Sequence, residues 1–168
     1  MNFKNWILQE EMSIKKQSHN YDCGPAALFS ILSHFGIKNV NYKKLVKQCK
    51  TTKDYGTLTE NLVKAAKLYN LKVKQHEKMT IKELQDITNK KIPVIASIQS
   101  WGNEKSKNNI ESGHYVIVTK VDKEYVHFYD PYYQSKDKRK MKKDEFMKDW
   151  IDENNGKIIH QFGISFQY

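Results

Sequence analysis

"QSHNYDCGPAALFSILSHFG" (residues 17–36) opens as a polar loop and continues into a run where Ala27, Leu28, Ile31, Leu32 and Phe35 recur at helical spacing. Pro25 suits a first helical turn, whose N–H groups lack intrahelical partners, and Gly36 suits the C-cap. A deeply buried helix is therefore predicted from Cys23 onward. The same stretch sets one of only two cysteines at the mouth of that helix, with Gln17 six residues upstream.

Working outward, Met12 to Lys16 reads as a short extended segment, and a second helix is predicted around Tyr42 to Cys49. Thr57 and Glu60 have capping-box spacing ahead of Leu62, Ala65, Ala66 and Tyr69, which predicts a third helix beginning at Thr57; Thr80 and Glu83 repeat the signature before a short fourth. Then the period changes. "IPVIASI" (92–98), "HYVIVTKV" (114–121) and "EYVHFYD" (124–130) are β-branched and aromatic, as strands of a mostly buried sheet are. A helix near Lys143 to Ile151 and a last strand from about Lys157 to Phe166 complete the order. Helices first and strands afterwards, with a hairpin in the second half, predict an α+β fold: an N-terminal helical half packed on a C-terminal antiparallel sheet.

No repeat, low-complexity tract or linker divides the 168 residues, so 1–168 is read as a single domain. Lys and Arg number 29 against 19 Asp and Glu, a formal charge of +10 that invites a polyanion. The excess is spread through every segment, and no helix-turn-helix, finger or RNA-stacking signature accompanies it, so a nucleic-acid partner is not expected. The densest run, "KDKRKMKK" (136–143), is read as a solvated loop and helix start. The first twenty residues lack the apolar segment of a signal peptide, and no window approaches the roughly 18 apolar residues of a membrane span. A soluble, cytoplasmic chain is expected, and a reducing compartment suits a free thiol at Cys23. Two cysteines without a CxxC spacing argue against a disulfide scaffold or a structural zinc site.

A cysteine at a helix N-terminus meets unpaired N–H groups and the positive end of the macrodipole, which favour the nucleophilic thiolate. A buried structural thiol fits the local pattern equally well, so the choice depends on a base. Of six histidines, His114 is the best situated: it follows Gly113 and begins a buried strand after the polar loop 100–113, which contains Trp101 and is read as bordering a cleft or as plain surface. The next strand ends in "YDPYY", with Asp130 sixteen residues beyond His114. A two-residue turn would put these two on opposite faces; an odd-length loop or a bulge would bring them together, so one of the latter is predicted. A carboxylate on an imidazole nitrogen fixes tautomer and orientation. His127, in mid-strand, is the rival base. Gln17 is a solvated residue on local pattern alone, yet its amide could join the backbone N–H of Cys23 in an oxyanion hole. Asp22 could organise the loop, although its charge opposes a neighbouring thiolate.

With "QSHNYDCGPAAL", "GHYVIV" and "YDP" in view, the chain resembles the papain-like cysteine peptidases that process bacteriocin leader peptides, whose domain cuts after a double glycine and is usually fused to an ABC transporter. "GTLTENLVKAAKLYNLKV" is similar to that family's connection into an amphipathic helix, while "DEFMKDWID" and "HQFGISF" look more like its free-standing soluble relatives. The resemblance implies Cys23 as nucleophile, His114 as general base, Asp130 as orienting residue and Gln17 as oxyanion donor. It implies a peptide or protein substrate, an acyl-enzyme and no metal or organic cofactor. Acyl transfer to an amine, a silent peptide-binding module and a polyanion-binding domain are the competing readings; oligomeric state is not legible.

Overall fold

The computed structural model describes residues 12–99, 113–132 and 139–168. Helix α1 (Cys23–His34) forms over the predicted run, with Leu28, Ile31 and Leu32 fully buried and Gly36 in the left-handed conformation that closes its C-terminus. Burying side chains of this size contributes roughly 1.5–3 kcal/mol each, so α1 anchors the helical layer. Helix α2 (Tyr42–Gln48) begins where the Asn41 side chain accepts the Lys44 N–H. Helix α3 (Thr59–Lys67) packs beside them and leads into strand β1 (Lys72–His76). Helix α4 (Ile81–Asn89) starts at Thr80 with both halves of the predicted capping box made by Glu83.

The strands that follow are β2 (Val94–Gln99), β3 (Gly113–Val121), β4 (Tyr125–Tyr129) and β5 (Arg139–Lys142). Helix α5 (Lys143–Asp149) then precedes β6 (Ile151–Asn154), β7 (Lys157–His160) and β8 (Gly163–Gln167). Six strands form one antiparallel sheet in the order β1-β8-β2-β3-β4-β5, while β6 and β7 pair as a separate hairpin. The sheet is covered on both faces. Ile95, Tyr115, Ile117 and Ile164 join Leu28, Ile31 and Leu62 in one core, and Val94, Ala96, Val116 and Val118 join Leu84, Phe146 and Trp150 in the other. All six residues of β2 are consequently buried, which explains its apolar run without alternation.

The β3–β4 hairpin carries the irregularity predicted for it. At the turn Asp122 N–H donates to the Tyr125 carbonyl at 2.9 Å, and Val121 opposes Val126, the register of a two-residue loop. Between Val118 and Lys120 the register shifts at Thr119, after which Val118 opposes Phe128 and Ile117 opposes Tyr129. Carried forward, the shifted register sets position 130 opposite 116 and diagonal to 114 on one face. The bulge thus reverses the parity that the short turn alone would impose.

Four expectations need correction. Thr57 and Glu60 form no capping box: Leu58 is the N-cap, the Thr57 hydroxyl bonds that of Thr51 at 2.7 Å, and Glu60 accepts from Asn154 Nδ2 at 3.1 Å. The last strand is two, because Gln161 turns with positive φ and sends β7 and β8 to different sheets. Helix α5 stops at Asp149, before a strand. Within "KDKRKMKK", residues 139–142 are strand β5 rather than loop, while 136–138 lie outside the described residues.

Candidate active site

The polar loop before α1 is shaped by Asp22, whose buried carboxylate accepts His19 N–H at 2.7 Å, Ser18 N–H at 3.2 Å and the Tyr42 hydroxyl at 2.9 Å. Its charge is spent on ordering the loop that bears Gln17. At the other end of that loop Gln17 N–H donates to the Pro131 carbonyl at 2.9 Å, which ties the segment to the residue after Asp130. The amide Nε2 of Gln17 donates to the His19 carbonyl at 2.7 Å, and its Oε1 is buried without a hydrogen-bond partner among the described residues.

Cys23, the first residue of α1, is buried except toward a cleft of about 1180 Å³ that Gln17, Tyr21, His114, Tyr132 and Asp152 also line. His114 faces Cys23, which favours its charged form, and its Nε2 contacts Asp130 Oδ1 at 2.6 Å. With Nε2 engaged, Nδ1 is the ring nitrogen left for the thiol. Asp130 Oδ1 also accepts Tyr132 N–H at 2.9 Å. Burial opposes a charge on His114, but Asp130 and Cys23 together outweigh it and raise the imidazole pKa. Burial likewise opposes ionisation of Asp130, and the bond to His114 prevails and holds its carboxyl below the usual range. The structure therefore brings Gln17, Cys23 and His114 to one cleft, with Asp130 buried against the His114 ring.

His127 does not join them. Its Nε2 contacts Asp122 Oδ2 at 2.6 Å at the hairpin turn, so the rival base belongs to the turn. Of the polar loop expected beside the cleft, residues 100–112, including Trp101, lie outside the described residues, and Gly113 lines the cleft. Cys49, the second cysteine, is fully buried, and burial pushes its thiol up to about 12.

Sequence reading missed the opposite wall. Asp152, on β6, sits beneath Gly113 with its carboxylate on the Ser97 hydroxyl and the Glu153 N–H. A Cβ on Gly113 would fall onto that carboxyl group. Asn154 anchors the same hairpin by accepting Thr59 N–H at 3.0 Å and donating to Glu60. The "GH" dipeptide carried a signal for close approach at Gly113, but nothing local named the group that approaches.

A cysteine at a buried helix start, faced by a histidine–aspartate pair from an antiparallel sheet, defines a papain-like cysteine peptidase fold. The Peptidase C39 family profile matches residues 11–154, and the chain belongs to that family of cysteine peptidases. Among solved structures, it is similar to the peptidase domain of Streptococcus ComA, a bi-functional ABC transporter involved in a quorum-sensing pathway. There the TM-score is 0.68 and identity 24%, with 92% of this chain and 97% of that one covered. A C39-like peptidase from Bacillus anthracis superposes with TM-score 0.72 at 19% identity, covering 94% of each chain. A double glycine motif protease from an AMS/PCAT transporter, solved in complex with the leader peptide, gives 0.63 at 20%, covering 93% of this chain and 91% of that one. Among curated proteins, no sequence matches the chain. No helix among the described residues is long and apolar enough to cross a membrane.

Proposed function

We propose that this cysteine peptidase hydrolyses a peptide or isopeptide bond through Cys23, His114 and Asp130, with Gln17 as oxyanion donor. The observation that carries this reading is that Cys23 and His114 line one cleft while His114 Nε2 contacts Asp130 Oδ1 at 2.6 Å. The Cys23 thiolate adds to the carbonyl carbon, and the oxyanion takes donors from the Gln17 amide and the Cys23 N–H. Imidazolium at His114 gives its proton to the departing amine as the C–N bond breaks, leaving a thioester. Water then adds to the thioester carbon, His114 taking one of its protons; the C–S bond breaks, the carboxylic acid departs and the thiolate–imidazolium pair is restored.

Asp130 holds the ring with Nε2 toward itself and Nδ1 toward the sulfur throughout. The cleft, at about 1180 Å³, has room for an extended peptide and for the second nucleophile. The leader-peptide complex of the transporter protease supports a peptide ligand here as well. Water is the acceptor we favour over an amine, because the cleft gives the thioester a route to solvent. Two free thiols suit a cytoplasmic setting.

The test is direct. Cys23→Ala should retain the fold by circular dichroism and abolish turnover of a peptide substrate, and wild-type Cys23 should be alkylated by iodoacetamide well above the rate of a free thiol at neutral pH. Turnover by the alanine variant would refute the assignment. Adding an amine during turnover separates the acceptors: free acid marks hydrolysis, and an amide product marks transfer.

A further inference from the structure

Beneath Gly113 lies a buried carboxyl group that the row from Cys23 to Asp130 does not include. Asp152 is 8% exposed and reaches the cleft floor from β6, a strand outside the main sheet. One oxygen accepts the Ser97 hydroxyl from β2, and the other accepts Glu153 N–H at 2.7 Å. Gly113 lacks the Cβ that would occupy the carboxyl's position, so the group sits directly on the backbone preceding His114. A charged residue is rarely this buried without a cationic partner. Among the described residues, the cationic candidate from the elements packed on it is His114, whose charge favours its ionised form.

We propose that Asp152 is a positioning residue for the Cys23–His114 couple: it seats the backbone from which His114 projects and supplies a second negative charge that favours imidazolium beside thiolate. This rests on the reading of Cys23 and His114 given above. Asp130 binds the ring directly and Asp152 acts on it through space, so the imidazolium lies in the field of two carboxylates. Among the described residues, the titratable neighbours of Asp152 are His114 and Tyr115 on β3 and Glu153 on β6. Strand β2 offers the Ser97 hydroxyl, and Lys157 and His160 on β7 are exposed beside Asn154 and Ile151. Burial raises the Asp152 carboxyl to about 6, with Ser97 and Glu153 N–H pulling the other way. The second charge is therefore present at neutral pH and withdrawn in mild acid. Cys23 reactivity should follow it.

The rate of Cys23 alkylation by iodoacetamide, measured from pH 4 to 9 with the modified cysteine identified by mass spectrometry, tests this. The buried Cys49 serves as the unreactive internal control. Wild type should show a rise in rate centred near pH 6, and Asp152→Asn should lose that step while keeping a folded spectrum and a slower Cys23 reaction. If the asparagine variant does not fold, Ser97→Ala provides the second arm: without the hydroxyl donor the carboxylate is less favoured, and the step should move to higher pH. A step unchanged in whichever variant folds, with Cys23 still fast, overturns the role of Asp152 alone. A wild-type Cys23 no faster than a free thiol overturns the reading beneath it.

Discussion

Asp130 Oδ1 serves two donors at once, His114 Nε2 at 2.6 Å and Tyr132 N–H at 2.9 Å, and the two bonds together fix both ring and carboxylate. Asp130→Asn keeps the shape but can offer an N–H where the carboxylate accepted one, so the imidazole adopts the wrong tautomer. The expected fall in kcat is on the order of 10⁴-fold with the fold retained. The pair also makes a stability contribution with a definite pH window. His114 has a raised pKa in the folded chain, so its share is complete below the unfolded histidine value and is lost as pH rises through the folded one. Asp130 has a lowered pKa, so its share is complete above the unfolded carboxyl value and is lost as pH falls. Both shares are complete only between about pH 4 and 6.5. The difference in Tm between wild type and Asp130→Asn should therefore peak in that interval and shrink on either side. A difference independent of pH would mean that the two groups do not interact as an ion pair.

Among the elements, the β3–β4 hairpin decides whether a site exists. Its turn is the short kind that would separate His114 from Asp130, and the bulge at Thr119 reverses the parity. Thr119 bears a buried hydroxyl without a partner among the described residues, a cost consistent with a residue kept for backbone geometry. Deleting Thr119 removes the extra residue of β3 and should leave Val118 opposite Phe128 in a regular ladder, so His114 and Asp130 keep one face and peptide turnover is retained. Cys23 in that variant should still react with iodoacetamide faster than an ordinary thiol. Loss of turnover with a folded spectrum would show that the bulge itself, beyond the register it sets, is needed at the site. That a bulge or odd loop was needed was legible in the sequence, because sixteen residues and a β-strand period of two leave few alternatives. Strands β1, β5 and β6 were not legible. "KVKQH", "RKMK" and "IDEN" are short and polar, β1 and β5 lie at sheet edges where only part of each residue is covered, and periodicity needs a buried face to show itself.

At the scale of the whole molecule, Cys23, His114 and Asp130 could be singled out because each stands beside the end of a strongly patterned element, whereas Gln17, solvated on local pattern alone, was singled out by the family resemblance. Asp152 was not, since its environment comes from Ser97 and Gly113, distant in sequence and joined only by folding. The same interdependence governs stability. Leu28 lies under α1 in one core, and Phe146 packs between Phe128 and Trp150 in the other, with ring centroids 6.2 and 5.1 Å away. The cores share one sheet, whose central strand β2 contributes Ile95 to the first and Ala96 to the second. Leu28→Ala should cost about 2–5 kcal/mol and Phe146→Ala about 3–5 kcal/mol. Because neither face of β2 can open without stripping the other, both substitutions should lower the midpoint of one common unfolding transition, followed by far-ultraviolet circular dichroism and by tryptophan fluorescence. Leu28→Ala should in addition slow Cys23 alkylation below that transition, since it loosens the helix that presents the thiol, whereas Phe146→Ala should leave the alkylation rate unchanged. Two separable transitions, one moved by each substitution, would show that the helical layer and the α4–α5 layer unfold independently.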